Sequence, residues 1–238
     1  MIDPAPEKEQ KFRPKTAADA LVLRLREQLF DGNLVPGQTV SIRRIAAAED
    51  VSVIPARDAM RSLVTEGALE FRDSRTITVP VLSHETLNDI RFARMAIETE
   101  LADRGFSRLL NDIDEIEAID DEITAALIAC DAPTYMQTNR AFHFKIYQAA
   151  NAPVLMHMAQ ALWLRFGPSM RIVCESFSGK TPDQDFHRVA IAALRTNDRT
   201  GFRNAIAADI AQGMGQIKNN IGTKCTPVLR SVPQGEST

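Results

Sequence analysis

ALVLRLREQLFDGNLVPGQTVSIRRIAAAEDVSVIPARDAMRSLVTEGALEFRDSRTITVP, residues 20–80, decides how the first third of the chain folds. Leu21, Leu25 and Leu29 recur at helical spacing and share one face, so residues 17–30 are expected to form an amphipathic helix that stops at Gly32. Pro36-Gly37 makes a turn. Ser41 can cap a short second helix over 42–49. Asp50-Val51-Ser52 forms a corner, and Ser52 can cap a third helix that runs to about Glu66. In that helix Ala56, Met60, Leu63 and Val64 form the stripe expected to be buried, and Ile54, Arg57 and Arg61 share a different face. Residues 69–72 and 76–79 pair as a hairpin around Asp73-Ser74-Arg75. This order is that of a winged helix-turn-helix, a shape that sets one helix into a DNA groove.

Outward from this stretch the texture changes. Residues 1–16 are polar, hold three prolines, and read as a flexible arm. After Pro80 no strand pattern occurs and glycines are few. Helices are expected near 84–106, 112–130, 133–150, 153–175, 182–196 and 198–219, with Pro168 kinking or splitting the fourth. The fold class is therefore mainly α. A winged head over 17–80 precedes an all-helical bundle over 83–220, and residues 221–238 read as a disordered tail.

Composition narrows the function classes. Hydrophobic residues make up 45% of the 238 and charged residues 25%, as in an ordinary soluble domain. No apolar run reaches membrane-spanning length and no signal core is present, so a cytoplasmic protein without membrane contact is expected. Cys130, Cys174 and Cys225 have no ligand spacing and read as reduced thiols. The net charge is -3, and residues 1–80 hold twelve basic and twelve acidic side chains. Affinity for nucleic acid must then come from where arginines sit rather than from bulk charge. Arg57 is placed for a base edge, Arg61 for a base or phosphate, Arg43 for the backbone or a groove edge, and Arg75 at the wing tip for a minor groove. Any one of them alone would read as a solvated surface arginine; the order of elements around them favours DNA.

With these residues in view, 20–80 resembles the DNA-binding domain of the GntR family of bacterial transcription regulators. The marks are Gly32, Leu34, Pro36-Gly37, Ile45-Ala46, Val51-Ser52, Pro55, Arg57, Leu63 and Glu66-Gly67. The resemblance implies operator contacts from Arg43, Arg57 and Arg75, and from the start of the third helix at Ser52, Val53 and Ile54. Val53-Ile54 stands where the family usually has Arg-Thr, so one base contact and one phosphate hydroxyl are missing, which implies a different operator and a lower affinity. Asp50 replaces a corner glycine, and Ser74 and Thr76 replace wing glycines.

Residues 95–219 are similar to the helical effector domain of the FadR subfamily, called FCD, through RMAIETELA, NRAFHFKIYQAANAPVL and FHRVAIAALRTNDRTGFRNAIAAD. Asn139 and His143 lie at i, i+4, and His187 and Asp209 lie on the last two expected helices. By spacing alone the metal signal is weak, and histidines beside Phe142 and Phe186 read first as packed, hydrogen-bonded core residues. The resemblance implies that these four hold a divalent metal such as zinc or nickel, with Asn139 at the usual Asp position and Asp209 at the last His position. It also implies that Arg94, which opens an R-x-x-x-E pattern with Glu98, binds an effector carboxylate. The plainer reading of Arg94 is an intrahelical pair with Glu98. Tyr135 and Arg165 are further candidates for the pocket, whereas Leu162, Trp163 and Phe166 are expected in the core.

The function expected is transcription regulation by a homodimer on a near-palindromic double-stranded operator, responsive to a small organic acid. Two alternatives stay open: a metal-dependent enzyme on a small acid, and a helical interaction module without DNA binding. Against the enzyme stand the absence of a nucleophile beside a base and of a glycine-rich phosphate loop, so no catalytic residue is assigned.

Overall fold

The computed structural model describes residues 14, 16–73, 76–177 and 179–221. The expected arm, the tail, Ser74, the wing-tip Arg75 and Cys225 lie outside the described residues, apart from Pro14, Thr16 and Ile221.

The head begins with α1 (Ala17–Phe30), capped by Thr16 and Asp19 in a reciprocal pair: each side chain accepts the other's backbone N–H at 3.0 Å. Leu21, Leu25 and Leu29 are fully buried, as their spacing requires. After the turn come β1 (Thr39–Val40), α2 (Ile42–Ala48), α3 (Val53–Thr65), β2 (Glu70–Phe71) and β3 (Ile77–Thr78). Ser41 caps α2 through the Arg44 N–H. Ser52 stands at the start of α3 but its hydroxyl makes no capping bond, contrary to expectation. Asp50 turns the corner with φ 52°, a left-handed conformation that Asp tolerates better than most residues. The buried side of α3 is Ala56, Ala59, Met60 and Leu63, and Val64 sits at its half-buried margin. The sheet has three strands in the order β1-β3-β2, all antiparallel, so the expected hairpin gains a third strand. Thr39-Val40 is too short to show alternation, and only its long-range pairing with β3 marks it as a strand.

The helical part comprises α4 (His84–Leu109), α5 (Ile113–Ile128), α6 (Ala132–Gln148), α7 (Pro153–Phe166), α8 (Met170–Phe177), α9 (Phe186–Arg195) and α10 (Arg199–Asn219). Pro168 splits the expected fourth helix: Gly167–Ser169 forms one 3-10 turn between α7 and α8. α4, α6, α7 and α10 surround a second hydrophobic core containing Phe142, Tyr147, Trp163 and Phe166; Leu162 is only half-buried. No described helix is long and apolar enough to cross a membrane.

The two cores meet along α1. Leu164 of α7 is buried within the head's own cluster, and Phe30 packs against both. Gly32, at φ 68°, ends α1 where a Cβ would collide with the Met136 sulfur of α6. Arg140 of α6 stacks 4.7 Å over the Phe30 ring and donates to Glu27 at 2.7 Å. A cleft of about 800 Å³ opens beside this contact.

Candidate functional site

Two places in the molecule could carry chemistry, the outer face of α3 and a cavity inside the helical part. On α3 the residues opposite the buried stripe point to solvent. Ile54 is 73% exposed and Val53 41%, and Arg57, Asp58 and Arg61 are exposed with them, as is Arg43 on α2. Among the described residues the guanidinium groups of Arg43, Arg57 and Arg61 have no ion pair, whereas Arg24 and Arg26 at the back of the head are paired with Glu49 and Glu66. Free cations thus collect on this face, although acidic side chains balance basic ones over residues 1–80. The Ser52 hydroxyl, released from capping, is exposed at the same end.

The cavity has a volume of about 50 Å³ and is lined by Arg94, Tyr135, Asn139, His143, His187 and Asp209 among others. Six of the seven residues expected there do converge. Arg165 does not. It is exposed and lies against Gly67 of the head, whose Cβ would meet its Nε at 2.8 Å. Successive residues on a helix turn by about 100°. Trp163 and Phe166 therefore face the cavity's Arg94 while Leu164 and Arg165 face the head.

His143 and His187 present Nε2 atoms to the same carboxylate, 3.2 Å from Asp209 Oδ2 and Oδ1 respectively. Each ring is held from behind. His187 Nδ1 lies 3.0 Å from Asp120 Oδ1, an acceptor, so Nδ1 carries hydrogen and Nε2 faces Asp209. His187 also stacks on Phe142 at 4.1 Å. Tyr147 donates to Glu98 at 2.6 Å and lies 3.0 Å from His143 Nδ1. A phenol has one proton, and Tyr147 gives it to Glu98. His143 Nδ1–H must then donate to the Tyr147 oxygen, and in the neutral ring its Nε2 is left with a lone pair toward Asp209.

The electrostatics follow. Burial holds His143 below its ordinary pKa and outweighs the pull of the Asp209 carboxylate 3.2 Å from its Nε2. Burial also opposes charge on His187, yet Asp209 and Asp120 together raise it to about 10. Burial would raise the Asp209 carboxyl, but the two histidines hold it well below the usual carboxylate range. The site is a carboxylate between two imidazoles, and the metal-free form needs one shared proton to be tolerable. His187 Nε2 is buried and makes no hydrogen bond of acceptable geometry. An orphaned imidazole nitrogen beside a carboxylate, with its other nitrogen held by Asp120, fits a divalent cation. The 3.2 Å separations match the edge between two ligands on a zinc-type ion with bonds of about 2.0–2.2 Å. His143, His187 and Asp209 would hold it, with Asn139 at the cavity wall.

Arg94 corrects the simple picture of a carboxylate clamp. Its fork is taken by Glu98, with two bonds of 2.9 Å, and the pair is buried to 3% and 0% exposure. Its guanidinium also lies 4.0 Å over Phe166 and 5.1 Å from Trp163. Arg94 makes the expected intrahelical pair with Glu98 and also lines the cavity. Asp120, Tyr147 and the supporting role of Glu98 are absent from the residues chosen by sequence. Tyr147 had a signal, four residues past His143 on one face. Asp120 had none, because only the packing of α5 on α9 brings it to His187.

The comparisons with known proteins agree with this layout. Residues 17–79 match the model of bacterial regulatory proteins of the gntR family, and residues 89–212 match the FCD domain. The chain is 27% identical over 194 residues to the HTH-type transcriptional regulator McbR of Escherichia coli strain K12, covering 80% of this chain and 87% of that protein. The solved E. coli McbR/YncC structure superposes with a TM-score of 0.76 at 25% identity, over 86% of this chain and 98% of that one. A GntR-type transcriptional regulator from Rhodococcus sp. RHA1 shares the fold, with a TM-score of 0.65 at 17% identity over 85% and 97% of the two chains. These relatives are regulators and not enzymes. With both halves matched and both cores accounted for, the chain belongs to the GntR family of transcription regulators and carries an FCD domain.

Proposed function

We propose that this regulator binds a near-palindromic operator as a homodimer, and that a small carboxylate held at a divalent metal in the helical cavity controls its affinity, in the manner of the FadR subfamily. The observation that carries the control is the pair of imidazole Nε2 atoms turned on Asp209, each ring fixed from behind. A metal there supplies positive charge and open coordination positions for an acid. The residues do the rest. Asp120 and Tyr147 fix the histidines, and the buried Arg94–Glu98 pair sets the electrostatics of the cavity floor. A cavity of about 50 Å³ holds a few water-sized groups, which favours an acid of few atoms.

Two helices support a route to the head. α6 bears Asn139 and His143 toward the cavity and Met136 and Arg140 toward α1. α7 bears Trp163 and Phe166 toward Arg94 and Leu164 and Arg165 toward the head. A shift of either helix on acid binding moves both sides, and the coupling is reciprocal: an acid that weakens operator binding is itself bound more weakly on the operator. Elemental analysis of protein purified without chelator, followed by a thermal-shift panel of small carboxylates with and without zinc and nickel, tests the reading. Expected are near-stoichiometric metal and a metal-dependent shift. A protein that takes up neither zinc nor nickel would overturn the metal part.

A further inference from the structure

We propose that Ile54, flanked by Val53, reads the 5-methyl group of a thymine in the major groove, so that each operator half-site carries a thymine beside the guanine engaged by Arg57. This rests on the reading of α3 as the DNA-reading helix.

The argument starts from exposure. Water penalises an exposed isoleucine, and Ile54 at 73% is the more exposed of two successive β-branched residues in the first turn of α3. α3 does not need it, since its buried side is complete with Ala56, Ala59, Met60 and Leu63. The neighbours of Ile54 specify what covers it. Arg57 and Arg61 follow at i+3 and i+7, the Ser52 hydroxyl makes no capping bond at the helix start, Arg43 is exposed on α2, and among the described residues none of these arginines has an ion pair. Exposed cations and an uncapped hydroxyl on the same helix as an apolar tip complement a polyanion that offers small apolar spots, and duplex DNA has one such group in the major groove, the thymine methyl. A protein partner would have to bury these arginines without phosphates to pair them.

Bulk charge cannot substitute for this contact, because Asp58 is also exposed on the helix and weakens a purely electrostatic grip. The spacing sets the register. Residues three apart are about 4.5 Å apart along a helix axis, a little more than one base step of about 3.4 Å. The thymine should thus lie one base step, or at most two, from the guanine of Arg57.

The test uses the full-length protein and an operator recovered by selection from random duplexes. Each thymine is replaced in turn by deoxyuridine, which deletes only the methyl group. The expected result is a loss of affinity of about three- to tenfold at one or two positions per half-site. Those losses should vanish in Ile54→Ala, while salt dependence and melting temperature stay as in the wild type. Uniform tolerance of deoxyuridine, or unchanged methyl sensitivity in Ile54→Ala, would overturn the inference and leave the α3 reading intact. Failure to select any operator would sink both.

Discussion

At the residue scale, two arginines of one charge have opposite environments and should behave oppositely. Arg57 is exposed and has no ion pair among the described residues, so Arg57→Ala should remove specific operator binding, read by footprinting, while changing folding stability by less than about 0.5 kcal/mol. Arg94 is buried against Glu98, Phe166 and Trp163. Arg94→Ala would strand a buried carboxylate, and urea unfolding should show a loss of about 3–5 kcal/mol. Cys174 gives a pH prediction. Burial pushes its thiol up to about 11, so the nucleophilic thiolate is scarce at neutral pH and grows with alkalinity. Iodoacetamide should label Cys174 in the folded protein far more slowly at pH 8 than an unperturbed thiol, with the rate still rising at pH 10. A labelling rate that levels off near pH 9 would contradict the burial.

At the element scale, the helices were legible in the sequence because each carries its own punctuation. α1 has its three leucines and Gly32, and the α7–α8 break has Pro168. What was not legible is whatever long-range packing creates. β1 is two residues whose strand character exists only in the ladder with β3. Arg165 was read toward the cavity because the side of α7 that meets the head cannot be known before the head is docked. The metal candidates were legible only in part: Asn139 and His143 share a face by spacing, but His187 and Asp209 join them through the packing of α9 and α10. The contact of α1 on α6 makes a further prediction. Gly32 needs both a left-handed backbone and the absence of a Cβ near Met136. Gly32→Ala should cost more than the roughly 1 kcal/mol of the backbone conformation alone. Adding Met136→Ala should recover the steric part, measured as a double-mutant cycle.

At the scale of the whole molecule, the head and the helical part share Phe30, Leu164 and the Arg140–Glu27 pair, and the cleft of about 800 Å³ opens beside them. Under the proposed reading, an internal ligand alters the placement of the head through this contact without unfolding either core. The central claim is that the cavity around His143, His187 and Asp209 governs what α3 grips. Operator affinity should therefore be titrated by fluorescence anisotropy at fixed salt, with zinc, with nickel and with a panel of small carboxylates, for the wild type and for His143→Ala with His187→Ala. The account predicts that at least one metal–acid combination changes the wild-type affinity by about 5- to 150-fold and leaves the double variant unmoved. An affinity indifferent to every combination, or equally responsive in the double variant, would contradict it.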